Sequence, residues 1–95
     1  MSVAHYLVGE DVDIETAERL RADLDPLVSD LHVDLLVLDC RGLTVIDSSG
    51  MHLLLDVRQT LVDQGRRLRV TNLSPTMRRV FDLIGLGGML RVGPA

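Results

Sequence analysis

The most chemically suggestive part of the chain is the segment Asp47-Ser48-Ser49-Gly50, which follows one apolar run and precedes a second apolar pattern with helical spacing. That succession predicts a strand, a tight turn and the start of a helix. The first amides of a helix lack intrahelical partners, and its N-terminal end carries about half a positive charge. Carboxylates and hydroxyls are therefore favoured here. A serine hydroxyl at such a turn can cap the helix, accept a phosphate or act as a nucleophile.

The nucleophile is the least favoured of these roles. A catalytic Ser48 or Ser49 needs a base within hydrogen-bond reach and a third group that orients the base. His52 would tend to face away from the turn, and the chain has no Gly-x-Ser-x-Gly elbow, no Gly-x-Gly-x-x-Gly and no P-loop. Asp13 and Asp47 could form an acid-base pair, but nothing indicates a substrate pocket. We therefore expect neither an enzyme nor a small-molecule substrate.

Composition narrows the class of partner. The 95-residue chain has a formal net charge of -4, with 46% hydrophobic but only 2% aromatic residues. A negative charge works against binding to nucleic acid or anionic membranes, and few aromatics leave no stacking platform for single-stranded nucleic acid. The single Cys40 cannot form an internal disulfide, and the spacing of Cys and His predicts no metal site. We expect a protein partner, with no cofactor and no metal.

Length and hydropathy favour a single cytosolic domain. The chain, residues 1–95, suits one core that removes roughly 60 to 65% of the unfolded chain's surface from water. No signal-peptide pattern opens the sequence, and no run of about 18 apolar residues occurs in it. The sequence therefore predicts a cytoplasmic protein without a membrane segment.

Apolar periodicity predicts the elements that hold the turn. Apolar runs of strand length lie at residues 2–8, 33–40 and 68–72, and helical spacing recurs at 14–31, 49–64 and 74–85. Residues 90–92 could add a final short strand. This alternation predicts an α/β domain, with a small mixed but largely parallel sheet of about four strands packed with three to four helices.

Residue types at the ends of the predicted helices support the predicted residue ranges. Asp13 is a good N-cap for the first helix, Ser74-Pro75 for the third, and Gly65 is typical of the position just after a helix. Pro26 predicts a kink or a break in the first helix. Because the loops that follow parallel strands meet at the carboxyl edge of a sheet, we expect Asp13 at the same edge as Asp47.

Two predictions concern side chains away from the turn. Cys40 ends an apolar run and is expected to be a small buried residue. Arg66, Arg67 and Arg69 form a basic cluster after the second helix. The cluster is expected to be solvated surface, with a contact to a partner as the alternative.

Three segments together resemble the STAS domain family, and more closely the anti-sigma factor antagonists of bacteria. They are Asp47-Ser48-Ser49-Gly50 after a buried strand, Asp13-x-x-Thr16-Ala17 before a helix, and Ser74-Pro75-x-x-Arg78-Arg79-Val80-Phe81 with Gly85-Leu86. The match covers residues 9–86. The chain departs from the family pattern in one extra residue between Gly9 and Asp13, in a short N-terminus, and in Met51-His52, which gives the partner-facing surface its own specificity.

The resemblance implies a phosphorylation switch. Family members are phosphorylated on the serine after the aspartate, Ser48 here, by a serine kinase that is also the anti-sigma factor. The unphosphorylated form binds this kinase and frees the sigma factor, and a serine phosphatase resets the cycle. In such proteins the residue matching Asp13 lies beside the acceptor and helps to engage the kinase. The implied partner-binding residues are Asp13, Thr16, Asp47, Ser48, Ser49, Gly50 and Met51.

The resemblance also leaves an alternative role. The family includes proteins that are never phosphorylated, such as cytosolic subunits of lipid-transport complexes and the tails of anion transporters. In these proteins the serine-bearing turn docks a partner protein. The alternative for this chain is therefore a structural interaction subunit of a transporter complex.

Overall fold

Strands and helices alternate along the chain, as the apolar periodicity predicts. The computed structural model describes residues 2–9 and 11–87. Within them the order is β1 (Val3–Leu7), α1 (Ile14–Ser29), β2 (Leu35–Asp39), α2 (Ser48–Asp63), β3 (Arg67–Thr71) and α3 (Pro75–Leu83). The three strands pair in parallel in the order β1-β2-β3. The predicted α/β class is confirmed, and the predicted strand at 90–92 lies outside the described residues.

The core lies on one face of this sheet. Leu68 and Val70 of β3 are buried, whereas Arg67 and Arg69 at the intervening positions are exposed. The central strand, β2, has its first four residues buried, and of these Leu36 and Leu38 belong to the core cluster that the helices cover. The main side chains that the helices add are Ala17, Leu20, Leu24, Leu53, Leu54, Val57, Leu61, Met77 and Phe81. Aliphatic packing around one aromatic ring therefore holds the helices on the sheet.

Cys40 follows β2 and is part of this core. It is only 2% exposed, and burial raises the pKa of its thiol to about 12. A protonated, inaccessible thiol is a poor nucleophile. The prediction that Cys40 is a small buried residue is confirmed.

α1 continues through Pro26, so the predicted break is wrong, and the kink that was the other expected outcome stays a prediction. Pro26 is exposed and lies in the last turn of a 16-residue helix. Proline there removes one backbone hydrogen bond, and the exposed Ala22, whose carbonyl loses its donor, is open to water. The carbonyl end of α1 is also stabilised from outside the helix, by Arg66.

Arg66 is buried, and the prediction that it is solvated surface is wrong. The residue is 5% exposed, and all five donors of its guanidinium are used. Nε donates to the Val33 carbonyl (2.6 Å), Nη1 to the Val28 carbonyl (2.7 Å) and Gln64 Oε1 (2.6 Å), and Nη2 to the carbonyls of Leu27 (3.1 Å) and Asp30 (2.9 Å). The cation therefore caps the carbonyl end of α1.

A glycine after α2 directs Arg66 to that position. Gly65 adopts a φ of 72°, which a residue without Cβ reaches without strain. Its N–H donates to the Val62 carbonyl (2.9 Å), and the N–H of Arg66 donates to the Leu61 carbonyl (2.8 Å). These are the two hydrogen bonds of a Schellman motif, which confirms the predicted helix end. None of the helices in residues 2–9 and 11–87 is both long and apolar enough to cross a membrane.

Candidate functional site

Two helix N-termini lie side by side at the carboxyl edge of the sheet. Val12 and Ile46 form an isolated parallel bridge. The N–H of Val12 donates to the Val45 carbonyl (3.1 Å), and the N–H of Asp47 donates to the Val12 carbonyl (3.1 Å). The residues that follow the bridge, Asp13 and Asp47, are the N-caps of α1 and α2. The parallel topology thus brings the two acidic caps to one edge, as expected from the sequence.

Asp13 and Thr16 form a capping box at the start of α1. Asp13 Oδ1 accepts hydrogen bonds from the N–H groups of Glu15 and Thr16, both at 3.0 Å. In return, Thr16 Oγ1 accepts the N–H of Asp13 at 2.8 Å. The hydrogen bonds from the Thr16 amide and hydroxyl lower the pKa of Asp13. The exposed carboxylate is therefore ionised at neutral pH.

Asp47 caps α2, and this leaves the serine hydroxyl free of that task. Asp47 Oδ1 accepts the N–H groups of Ser49 (2.9 Å) and Gly50 (3.1 Å). Ser48 is the first residue of the helix and is exposed, while Ser49 is half-buried. No hydrogen bond within residues 2–9 and 11–87 engages the Ser48 hydroxyl. The hydroxyl is therefore accessible to an incoming protein.

Gly50 and Met51 lie on the inner side of the same turn. Gly50 is buried, and a Cβ built on it would lie 2.7 Å from Ile46 Cγ1 and 2.8 Å from Val12 Cγ1. A residue of any other type would force either α2 or the side chains of Val12 and Ile46 to shift. Met51 is half-buried and packs against the core. Both residues therefore fix the position of α2 beneath the exposed serine.

Asp11 also belongs to this site, although sequence reasoning did not single it out. Its Oδ1 accepts three hydrogen bonds, from Thr44 N (2.8 Å), Thr44 Oγ1 (2.6 Å) and Val45 N (2.8 Å). These hydrogen bonds, led by the one from the Thr44 hydroxyl, lower the pKa of the Asp11 carboxyl. The only sequence signal was its place in an acidic turn, which does not reveal a partner 33 residues away.

A further acid at the carboxyl end of β2 is paired within the chain. Asp39 accepts hydrogen bonds from Arg41 Nε (3.0 Å to Oδ2) and Nη2 (2.7 Å to Oδ2), and from the Arg41 N–H (3.1 Å to Oδ1). The Arg41 side chain is the main reason that the pKa of Asp39 falls to about 2, with a smaller contribution from the Asn72 side chain. Its charge is thus largely neutralised locally.

Exposed apolar side chains flank the acidic caps. Ile14 is 71% exposed beside Asp13, and Val45 is 59% exposed two residues before Asp47. We call the surface formed by Asp11, Asp13, Ile14, Val45, Asp47 and Ser48 the acceptor edge. It combines carboxyl groups, apolar area and the accessible Ser48 hydroxyl, which is a composition suited to a protein contact. In the part of the chain that the structure describes, no group of three or more His, Cys, Asp or Glu could hold a metal ion.

Sequence comparison relates the chain to known proteins. The pattern of the STAS domain family matches residues 2–95. The chain is 36% identical over 86 residues to the anti-sigma F factor antagonist of Lysinibacillus sphaericus. That alignment covers 90% of this chain and 73% of the relative.

Solved structures extend the comparison to two kinds of protein. The anti-sigma factor antagonist SpoIIAA in its unphosphorylated form superposes with a TM-score of 0.78 at 26% identity, over 99% of this chain and 80% of that one. The Bacillus cell fate determinant SpoIIAA in the phosphorylated form superposes with a TM-score of 0.74 at 28% identity, over 99% of this chain and 83% of that one. A sulfate transporter family protein from Wolinella succinogenes superposes with a TM-score of 0.81 at 26% identity, over 95% of this chain and 75% of that one.

Proposed function

The chain belongs to the STAS domain family, and from that membership we propose that it is an anti-sigma factor antagonist switched by phosphorylation of Ser48. The observation that carries the proposal is the exposed Ser48 at the N-terminus of α2, on the same edge of the sheet as the ionised Asp13. The Asp47 side chain caps this helix, so the Ser48 hydroxyl is not needed as its cap. The similarity to an anti-sigma F factor antagonist supplies the class of partner.

In the proposed cycle the unphosphorylated chain binds an anti-sigma factor that is also a serine kinase. Binding releases the sigma factor, phosphorylation of Ser48 ends the binding, and a serine phosphatase restores the first state. The chain acts as a regulatory protein in the cytosol and not as an enzyme. The residues proposed to form or position the contact are Asp13, Thr16, Asp47, Ser48, Ser49, Gly50 and Met51.

The local electrostatics explain why a phosphate would act on binding more than on folding. Phosphorylation adds a charge of about -1.5 to -2 next to Asp47 and near Asp13. The N-terminus of α2 partly offsets the repulsion, and the cap bonds of Asp47 do not involve the Ser48 side chain. The fold therefore persists. A protein packed on the acceptor edge would have to bury the phosphate among carboxylates, which weakens the complex.

The first test compares Ser48→Asp with Ser48→Ala. We expect Ser48→Asp to weaken binding to the anti-sigma factor roughly tenfold or more, because a charge is placed in the contact. Ser48→Ala should bind close to the wild type but resist phosphorylation. Both melting temperatures should lie within about 4 °C of the wild type, as for exposed substitutions in a chain of this size. Calorimetry and thermal unfolding provide the two measurements.

Incubation with ATP and the cognate kinase, followed by mass spectrometry, identifies the acceptor. Phosphate on Ser48 is expected, and Ser49→Ala is the matched control because Ser49 is the half-buried neighbour. Asp13→Asn retains a capping oxygen and removes only the charge. We expect it to melt like the wild type and to bind the kinase more weakly. Equal affinity of Ser48→Asp and wild type, or phosphate confined to Ser49, would contradict the proposal.

The second candidate is a non-phosphorylated interaction subunit of a transporter complex. It is favoured by the TM-score of 0.81 with a sulfate transporter family protein. In that role the acceptor edge docks a partner permanently, and Ser48 carries no phosphate. A chain that stays unmodified in the kinase assay and co-purifies with a transport protein through this edge, with binding lost on Asp13→Asn, would support this candidate.

A further inference from the structure

We infer that Asp11 is a positioning residue for Ser48, because its carboxylate joins the loop before α1 to the segment that leads into α2. The inference rests on the proposed function, since positioning is measured at the proposed phosphoacceptor. Asp11 does not touch the Ser48 hydroxyl in any described contact. It acts through Thr44 and Val45.

The contact is made by one carboxylate oxygen and three donors. Asp11 Oδ1 accepts the backbone N–H groups of Thr44 and Val45, each at 2.8 Å, and the Thr44 hydroxyl at 2.6 Å. We call these three hydrogen bonds the Asp11–Thr44 contact. Hydrogen bonds to an ionised acceptor are shorter and stronger than neutral ones. The contact therefore holds the segment before Ser48 more firmly than an ordinary loop interaction would.

Asp11 is held on its other side by α1. Thr16 Oγ1, within hydrogen-bonding distance of the Asp13 cap, donates to the Asp11 carbonyl at 2.8 Å. One residue thus connects the first turn of α1 with the segment before α2. The remaining backbone connection at this junction is the Val12–Ile46 bridge, which supplies two hydrogen bonds of 3.1 Å. Asp11 therefore adds a side-chain connection between the two N-termini to this bridge and to the packing of Gly50 against Val12 and Ile46.

This geometry matters for a kinase because phosphoryl transfer requires the acceptor oxygen in line with the donor phosphate. A kinase that recognises Asp13 on α1 while it modifies Ser48 on α2 needs a fixed distance between the two residues. Loss of the Asp11–Thr44 contact would let the segment before Ser48 move independently of α1. The predicted consequence is a lower kcat for phosphorylation of Ser48, with a smaller change in KM.

Amide hydrogen exchange tests the contact in the free chain. In Asp11→Ala we expect the Thr44 and Val45 amides to lose protection on the order of tenfold, the size of one hydrogen bond to a charged group. Amides of the central strand, such as those of Leu36 and Leu38, should keep their protection. Asp63→Ala is the matched control, because Asp63 is an exposed acid at the other end of α2 whose side chain, among residues 2–9 and 11–87, accepts a hydrogen bond only from Gln59. Unchanged exchange at Thr44 and Val45 would overturn the contact.

Steady-state phosphorylation with the cognate kinase, which gives kcat and KM separately, tests the positioning. We compare Asp11→Ala, Asp11→Asn and Thr44→Val, which remove the acceptor, the charge and the hydroxyl donor respectively. A lower kcat in Asp11→Ala, partly lowered in Thr44→Val and largely restored in Asp11→Asn, supports the inference, because asparagine keeps an acceptor oxygen. If Asp11→Asn is as slow as Asp11→Ala while its amides remain protected, the Asp11 charge contacts the kinase directly and the positioning role is wrong.

The two failures are distinguishable. A wild-type chain that the kinase never phosphorylates contradicts the proposed function, whatever the exchange results. A wild-type chain that is phosphorylated on Ser48 at the same rate as Asp11→Ala contradicts only the positioning role of Asp11.

Discussion

The two edges of the sheet satisfy their helix ends with opposite chemistry. At the carboxyl edge, the amides of α1 and α2 are capped by Asp13 and Asp47, and a serine hydroxyl remains free on the surface. At the amino edge, the carbonyls at the end of α1 are capped by the buried guanidinium of Arg66. One edge is exposed and acidic, and the other is closed around a cation.

Because of this difference, the residues proposed to bind a partner lie at the carboxyl edge, whereas the buried cation that stabilises the fold lies at the amino edge. At the exposed Asp13 and Ser48, a change of charge leaves no buried group unpaired, so the cost to folding is small. Removal of the buried Arg66 takes a hydrogen-bond donor from four backbone carbonyls, and a carbonyl left unpaired away from water is costly. The carboxyl edge can therefore evolve partner specificity while the amino edge keeps the helices in place.

Replacement of Arg66 should produce the largest effect on stability. Arg66→Met keeps much of the side-chain volume but removes all five donors, so four backbone carbonyls lose a partner. We expect the free energy of unfolding to fall by about 3 kcal/mol or more. That is a large part of the roughly 5 to 15 kcal/mol available to a small domain. Urea denaturation measures the loss.

Arg69→Ala is the control, because Arg69 lies on the neighbouring strand but is exposed. It should change the free energy of unfolding by less than about 0.5 kcal/mol. The folded fraction of Arg66→Met should bind the anti-sigma factor as the wild type does. A stable Arg66→Met, or one that folds fully but no longer binds, would break the proposed division between the two edges.

The difference between the edges also marks what the sequence could predict. Strands, helices and helix ends follow from local patterns. The sequence therefore predicted β2 and α2 correctly, together with Asp13 and Asp47 at the helix N-termini and Gly65 just after α2. The roles of Arg66 and Asp11 were not predicted, since their partners lie more than 30 residues away. Arg66 looks like its exposed neighbours until Gly65 turns it toward α1. Pro26 shows the reverse case, because the helix break that the local sequence predicts does not form.

Gly50→Ala should lower both the free energy of unfolding and the affinity for the partner. The loss of stability should be smaller than that caused by replacing Arg66. The added Cβ would lie within 2.8 Å of atoms of Ile46 and Val12, and overpacking of this kind costs about 1 to 3 kcal/mol. Alanine recovers up to about 1 kcal/mol through its higher helix propensity. We expect a net loss of about 1 kcal/mol together with weaker partner binding, because α2 and Ser48 move away from α1.

Gly9→Ala is a matched control for this substitution. A Cβ built on Gly9 meets no atom within 4 Å, and its φ is not positive. Stability and affinity should therefore both remain close to the wild type. If Gly50→Ala lost stability alone, the position of α2 would not matter for binding, and the link between packing and function at the acceptor edge would fail.

The smallest expected effect is a dependence of stability on acidic pH, which should arise from Asp39 at the carboxyl edge. The pKa of Asp39 is lowered to about 2 from an ordinary value of 3.8, chiefly by Arg41. A lowered pKa means that the carboxylate stabilises the folded state above pH 4, and that this contribution disappears as the pH falls toward 2. Asp39→Asn should therefore be less stable than the wild type at pH 6, and the difference should shrink steadily between pH 4 and 2. Melting temperatures measured across this range provide the comparison.

Arg41→Gln keeps the Asp39 carboxyl group but removes its main partner, so it should lose stability at pH 6 and shift the acid transition upward. A difference between Asp39→Asn and wild type that stayed constant down to pH 2 would mean that Asp39 stabilises the edge by shape and not by charge.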